Sequence, residues 1–236
     1  MKHIKKFTFQ FSMLAVICVL CSVFTVVSKT SSSKVENDTR KTVIIDPGHG
    51  GYDGGAVAQD GTVEKNINLA ISLKLRDQLE FGGYKTVMTR SSDVDTDESD
   101  SDKYNKKSDL ETRLALMKKY PNAIYVSIHL NKFTASSAKG AQVFYSPDFK
   151  EAADLGNCIQ NSISSKLQKD NERVIKRGTK STYLLYNAKV PAVIVECGFI
   201  SNNSELKKLK SEEYQSQMAF AVYSGINDYF SDKKER

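Results

Sequence analysis

Two histidines and two glutamates are the residues of this sequence whose types and positions could perform chemistry. His49 and His129 each follow or end a predicted strand, and the carboxyl edge of an open α/β sheet is where ligands bind. Glu64 begins a predicted helix, and Glu196 ends an apolar strand. Two neutral imidazoles and one carboxylate form the ligand set of a catalytic zinc site that leaves a position open for water. A further carboxylate nearby can act as general base.

Each of these residues also has an ordinary structural explanation when it is taken alone. A single histidine on a strand is usually a hydrogen-bonded structural residue. A glutamate such as Glu64 in a first helical turn is favoured by the helix dipole. The four residues are scattered through the chain, unlike the compact His-Glu-x-x-His helix of many zinc enzymes. The metal-site hypothesis therefore depends on their combination and on the residues around them.

The segment around His49 reads VIIDPGHGGYDGG, from Val43 to Gly55. Its β-branched start is typical of a buried strand, which stops at the Asp-Pro-Gly that follows. The surrounding glycines allow tight turns and close approach of the backbone to a ligand. A plain glycine turn that carries an incidental histidine is the alternative interpretation of this stretch.

Periodic apolar residues predict the elements that must position these side chains. The pattern predicts strands near residues 42–45, 84–89, 123–130, 140–145 and 192–195. It predicts helices over 64–82, 108–120 and 152–167, and one or two helices over 206–230. Alternating strands and helices indicate an α/β domain with a mostly parallel central sheet and helices on both faces. Ser108 and Glu111 predict a capping box at the start of the second helix.

The stretch from residue 91 to 107 looks least folded, because six acids are followed by three lysines. A calcium-binding loop is one interpretation, but the glycine and ligand spacing of an EF-hand is absent. A solvated loop is the interpretation that the pattern favours.

The N-terminal region predicts export. Residues 7–27 are 21 consecutive uncharged positions, flanked by lysines on both sides. This length suits an uncleaved membrane anchor over residues 1–29, and a cleaved signal peptide is the alternative. Residues 30–40 form a polar linker, and residues 41–236 form the catalytic domain. Both interpretations place that domain outside the cytoplasm.

Charge and cysteine content argue against a nucleic-acid-binding protein and against a disulfide-rich protein. The formal charge is +6, but four of the 34 basic residues and none of the 28 acids lie in residues 1–29. The remaining 30 against 28 leaves +2, which does not call for nucleic acid as a partner. Only Cys158 and Cys197 lie in the exported domain. We expect both to be reduced and buried, without a disulfide framework.

Four sequence blocks carry a resemblance to a known family. They are IDPGHGGYDGGA (Ile45–Ala56), EKNINL (Glu64–Leu69), VSIHLN (Val126–Asn131) and PAVIVECGFISN (Pro191–Asn202). Together and in this order they resemble the zinc-dependent N-acetylmuramoyl-L-alanine amidases of the Amidase-3 type, from about residue 42 to the C-terminus. Residues 84–90 and 110–113 fit the same family pattern.

The resemblance implies a role for each candidate residue. His49, Glu64 and His129 correspond to the ligands of one zinc ion, and Glu196 to the catalytic glutamate. The implied substrate is peptidoglycan. Cys197 departs from the family pattern directly after Glu196, and a buried neutral thiol is favoured over a fourth ligand.

Leu130 and the short polar insert after residue 90 resemble the germination-specific amidases of spore-forming Firmicutes. That implies removal of stem peptides in spore cortex, before muramic-δ-lactam forms. A vegetative autolysin, a peptidase acting within the stem peptide and a non-catalytic wall-binding protein are the alternatives. Residues 145–183 leave little room for an inserted inhibitory helix, so regulation is expected from expression timing or an activating protein partner.

Overall fold

The computed structural model describes residues 39–99 and 103–232. The strands in this part are β1 (Thr42–Pro47), β2 (Lys85–Met88), β3 (Ile124–Asn131), β4 (Gln142–Tyr145), β5 (Lys176–Arg177) and β6 (Ala192–Phe199). The helices are α1 (Glu64–Phe81), α2 (Lys106–Lys119), α3 (Lys150–Lys166), α4 (Tyr183–Tyr186), α5 (Asn203–Leu209) and α6 (Glu212–Asp232).

The six strands form one mixed sheet in the order β2-β1-β3-β6-β4-β5. The predicted parallel pairing holds from β2 to β6, whereas β4 is antiparallel to β6. The cause lies in the connection between β3 and β4, which spans only residues 132–141 and contains no helix. A parallel crossover needs a dozen or more residues, so β4 must run back in the opposite direction.

Apolar side chains cover both faces of the sheet. Along β1, Val43 and Ile45 pack on one face with helices α1, α3, α5 and α6. Ile44 points to the other face, where it joins apolar residues of α2 and α4. Each of these three β1 side chains is fully buried, so the strand that precedes His49 is fixed from both sides. The prediction of an α/β domain is confirmed.

Helix boundaries differ from the prediction at two places. Helix α2 begins before Ser108, and the side chain of Asn105 accepts hydrogen bonds from the backbone amides of Lys107 and Ser108. The predicted Ser108–Glu111 capping box is therefore wrong, because Asn105 already satisfies the free amides at this end. The short helix α4 was not predicted, since four residues show no helical period.

The two cysteines form no disulfide. Cys197 is fully buried, as predicted, and burial raises the pKa of its thiol well above the usual range. Cys158 is only half-buried, so the prediction of two buried cysteines is wrong for this residue. Cys197 is a neutral thiol that contacts the backbone oxygen of Val195.

In residues 39–99 and 103–232, no helix has the length and apolar character needed to cross a bilayer. The predicted membrane anchor over residues 1–29 lies outside this described part of the chain, as does most of the predicted linker over residues 30–40.

Candidate metal centre

The loop that follows β1 carries His49 in an unusual backbone conformation. His49 has a φ of 62°, in the left-handed region that few residues other than glycine adopt. The preceding Gly48 lies directly against the ring of His129, and a Cβ at this position would collide with that ring. The glycine is therefore required for the two histidine side chains to approach each other.

Glu64 is the first residue of α1, and its carboxylate is almost completely buried. Its Oε2 accepts a hydrogen bond from the amide of Ala56 at 2.8 Å. Its Oε1 accepts from the amide of Leu130 at 3.0 Å and from Asn68 at 3.1 Å. These donors fix the carboxylate between the glycine loop and β3, and they stabilise its ionised form.

The structure brings the side chains of His49, Glu64 and His129 together. The Nε2 of His49 lies 3.4 Å from Oε1 of Glu64, and the Nδ1 of His129 lies 3.2 Å from the same oxygen. One ligand atom from each residue lies within 4.8 Å of the others, the one such group of three among the described residues. Two imidazoles and a carboxylate at this separation fit a divalent zinc ion, and they favour it over magnesium or calcium.

Outer contacts orient His49 toward this group. Its Nδ1 lies 2.8 Å from Oδ2 of Asp53, which also pairs with Lys106. A carboxylate on the far nitrogen of a metal-binding histidine fixes the ring and increases its basicity. Burial opposes a charged His49, but the hydrogen bonds to Asp53 and Glu64 outweigh it and raise its pKa to about 9. Metal binding would therefore displace a proton.

Two arginines hold the backbone of the His49 loop. Arg90 donates to the carbonyl oxygens of Pro47, Gly48 and His49. Arg113 donates to the carbonyl oxygen of His49 and forms an ion pair with Asp46. Carbonyls that point inward from a tight loop need donors, and these two guanidinium groups supply them. They keep His49 in its strained conformation.

Asp46 anchors this network from β1. It is fully buried, and it accepts hydrogen bonds from Thr89 and Ser127 at 2.6 Å each. Burial disfavours its charge, but Arg113 and these hydroxyls outweigh burial and hold the pKa of the carboxyl well below its usual range. Asp46 is therefore ionised throughout the physiological range.

Replacing Asp46 by asparagine should destabilise the fold by about 3 kcal/mol at pH 7, because Arg113 loses a buried anionic partner and keeps Asp109 as its one paired carboxylate. Since the folded pKa of Asp46 is depressed, its contribution is present above about pH 4 and is lost as the pH falls further. The difference between wild type and variant should shrink below pH 4. Urea unfolding at several pH values, with a chelator present, measures the free energy of unfolding of both proteins.

The matched control for this variant is Asp60→Asn, which removes an exposed partner of Lys210 and should change stability little. An Asp46→Asn protein as stable as the control would contradict a buried ion pair that holds the loop.

Glu196 lies directly beside the histidine pair. It is the register partner of His129 on the neighbouring strand, and its Oε2 is shielded from solvent without a hydrogen-bond partner. Burial raises the pKa of Glu196 to about 7; His129 lowers it and Glu64 raises it further. A carboxyl with a pKa near neutrality can both accept and donate a proton at physiological pH.

These side chains line a cleft of about 240 Å³. His49, His129 and Glu196 form its base. One wall is formed by Lys106, Asp109, Leu110 and Arg113 of α2, and the other by residues 181–184, which include the start of α4. The residues at the base of this cleft are candidates from the sequence alone, but the α4 wall was not predicted.

The sequence of this chain is similar to those of known amidases. The family model described as N-acetylmuramoyl-L-alanine amidase, Amidase_3, matches residues 43–228. The germination-specific N-acetylmuramoyl-L-alanine amidase of Bacillus subtilis (strain 168) is 35% identical over 195 residues, which cover 82% of this chain and 81% of that protein. The N-acetylmuramoyl-L-alanine amidase LytC of the same strain is 32% identical over 84% of this chain but only 38% of its own length.

A solved structure is also similar to this chain. The CwlD amidase from Clostridioides difficile, determined in complex with the GerS lipoprotein, has 40% sequence identity and a TM-score of 0.78. The match covers 82% of this chain and 100% of that chain.

Proposed function

The chain belongs to the N-acetylmuramoyl-L-alanine amidase family, and we propose that it cleaves the bond between N-acetylmuramic acid and L-alanine with one zinc ion held by His49, Glu64 and His129. The observation that carries this proposal is the convergence of these three side chains beside Glu196. Three protein ligands leave one coordination position open, as catalytic zinc sites require.

Zinc at this position would supply Lewis-acid chemistry, which polarises a carbonyl oxygen and lowers the pKa of water. Glu196 acts as the general base, because its carboxylate lines the cleft beside the grouped histidines and can accept a proton from the attacking water. The protonated carboxyl then donates that proton to the departing L-alanine nitrogen. Asp53 acts on the reaction indirectly, by orienting His49.

We propose that residues 41–236 form the catalytic domain, and the family match over residues 43–228 supports this boundary. Residues 1–29 serve as the membrane anchor and residues 30–40 as the linker. This arrangement exports the domain and keeps it at the outer side of the membrane, where its peptidoglycan substrate lies. The uncharged run over residues 7–27 and its flanking lysines support this part of the proposal.

The biological setting that we propose is the spore cortex. Removal of stem peptides there exposes muramic acid residues that are converted to muramic-δ-lactam. Similarity to a germination-specific amidase over most of both chains supports this setting. LytC, by contrast, is a much longer protein that this chain matches over 38% of its length.

Spores of the source organism in which the gene for this protein is disrupted should contain no muramic-δ-lactam, as measured by mass spectrometry of their cortex muropeptides. Wild-type protein should restore the lactam, and the Glu196→Gln variant should not. Unchanged muropeptides in the mutant would contradict the spore-cortex role and would favour a role in vegetative wall turnover. They would not contradict the proposed amidase activity.

We also propose an activating protein partner. The related CwlD amidase was determined in complex with a lipoprotein, GerS, which supports this idea. Between β4 and α4, helix α3 packs against the sheet and α6 and does not line the cleft, so it does not act as an inhibitory insert. A purified domain that binds zinc tightly and cleaves glycan strands at full rate alone would contradict a required partner.

A further inference from the structure

A pair of stacked tyrosines lies next to the candidate metal centre, and the mechanism does not use it. The rings of Tyr52 and Tyr104 have centroids 5.6 Å apart and planes inclined by 28°. The side chain of Tyr52 is 83% exposed, although it lies only three residues after His49. One face of its ring is covered by Tyr104, and the rest is open to solvent. An aromatic ring this exposed on a site loop is a candidate for ligand contact.

The loop on which Tyr52 lies is held in place from the acidic segment. The amide of Gly51 donates to Asp93 at 3.0 Å, and Asp93 also pairs with Lys65 of α1. The side chain of Asp95 lies against Gly51, where a Cβ would collide with it. The acidic stretch, which sequence patterns indicated only as a solvated loop, therefore fixes the position of Tyr52 before any ligand arrives.

Neighbouring residues connect the tyrosine pair to the cleft. Tyr52 adjoins Asp53, whose carboxylate contacts both His49 and Lys106. Lys106 is two residues after Tyr104 and lines the cleft. The pair therefore lies close to the part of the cleft that Lys106 lines.

The enclosed part of the cleft can hold only a small part of a polymeric substrate. Its volume of about 240 Å³ is below the roughly 300–1,000 Å³ of pockets that enclose a drug-sized ligand. It can accommodate the reacting amide and its immediate neighbours. The remainder of a glycan strand must lie on the surface beside the cleft.

We propose that Tyr52, supported by Tyr104, is a sugar-binding platform on which a pyranose ring of the glycan strand packs. This inference rests on the proposed function, because it places the glycan strand of that substrate. Sugar rings present flat faces of C–H groups, which pack well on an open aromatic face. The nearby Asp95 carboxylate, which lies against Gly51, can accept hydrogen bonds from the hydroxyls of such a sugar.

The direct test is binding to glycan strands from which all stem peptides have been removed, because no amide remains to be cleaved. Tyr52→Ala should weaken co-sedimentation with these strands by about three- to tenfold, the range of an aromatic packing contact. Tyr52→Phe keeps the ring and should bind like wild type. Phe81→Ala is the matched control, because Phe81 is 96% exposed at the far end of α1.

Kinetics supply a second readout. On long peptidoglycan strands, Tyr52→Ala should raise KM by a similar factor with little change in kcat, whereas its KM for a single muramoyl peptide should change much less. The zinc content of the variant should equal that of wild type.

Equal binding of wild type and Tyr52→Ala to the bare strands would overturn the platform. A KM that rises equally for both substrates would overturn it as well, since the effect would then arise at the reacting amide. A Tyr52→Ala protein that changes its oligomeric state and not its glycan affinity would identify the pair as a contact between copies, which also excludes the platform. Failure of the proposed function can be distinguished from failure of the platform. If the proposed function is wrong, wild-type protein cleaves no amide, and the binding comparison still shows whether Tyr52 binds the glycan.

Discussion

Replacing Glu196 by glutamine is expected to lower kcat for amide hydrolysis by about 10²–10⁴-fold, the usual contribution of a general base. Glutamine has nearly the same shape as glutamate but cannot accept the proton of the attacking water. Because Glu196 is not one of the three grouped ligand residues, the variant should still bind one zinc ion per chain. Steady-state kinetics on peptidoglycan and elemental analysis of the purified variant measure the two properties.

The matched control is Glu111→Gln, which changes an exposed glutamate on α2 that pairs loosely with Lys107. It should leave both kcat and zinc content at wild-type values. Full activity of the Glu196→Gln protein would show that another group takes the proton. A loss of zinc along with activity would assign Glu196 to the metal site instead.

Removing either histidine is expected to abolish metal binding. His49→Ala and His129→Ala each delete one of three protein ligands, so zinc affinity should fall by more than about 100-fold. Substituting the outer partner in Asp53→Asn should cost only about 10–100-fold, since it loosens the orientation of His49 but leaves its nitrogen in place. Competition with a zinc chelator measures all three affinities.

Thermal unfolding gives an independent measure of the loss of zinc binding in the two histidine variants. Zinc binds the folded state, so it should raise the Tm of wild type with the logarithm of its concentration once that concentration exceeds Kd. Neither histidine variant should respond to zinc at the concentration that stabilises wild type. A wild-type zinc response in either variant would remove that histidine from the metal site.

Local sequence patterns predicted that the candidate histidines lie at the ends of strands, and the resemblance to the amidase family supplied the role proposed for each residue. The apolar run before His49 and the alternating residues before His129 each indicate a strand. Since β1 and β3 are parallel neighbours, their carboxyl ends meet at one edge of the sheet. Helix α1 brings Glu64 to the same edge, and Glu196 pairs in register with His129. Residue type and strand order alone account for this convergence.

The contacts that hold the site together were not predictable in the same way. Arg90 and Arg113 bind the His49 loop from segments 41 and 64 residues further along the chain. No local period marks an arginine whose partners are distant carbonyl oxygens. The stacking of Tyr52 on Tyr104 likewise joins the glycine loop to a polar segment without regular structure.

The direction of β4 was missed for a different reason. Its sequence has the alternation of any strand, and only the length of the connection from β3 indicates which way it runs. The short helix α4 has too few residues to show a helical period, yet it forms one wall of the cleft. Features that depend on chain geometry, and not on residue pattern, are the ones that sequence interpretation did not reach.

Mass spectrometry of the products released from purified peptidoglycan tests most sharply whether this protein is a zinc-dependent amidase. Wild-type protein is assayed with zinc and again after chelation. We expect free stem peptides that begin with L-alanine, together with intact glycan strands, only when zinc is present. Fragments cut within the stem peptide would identify a peptidase at the same site. Release of the same stem peptides by thoroughly chelated protein would contradict a zinc-dependent amidase.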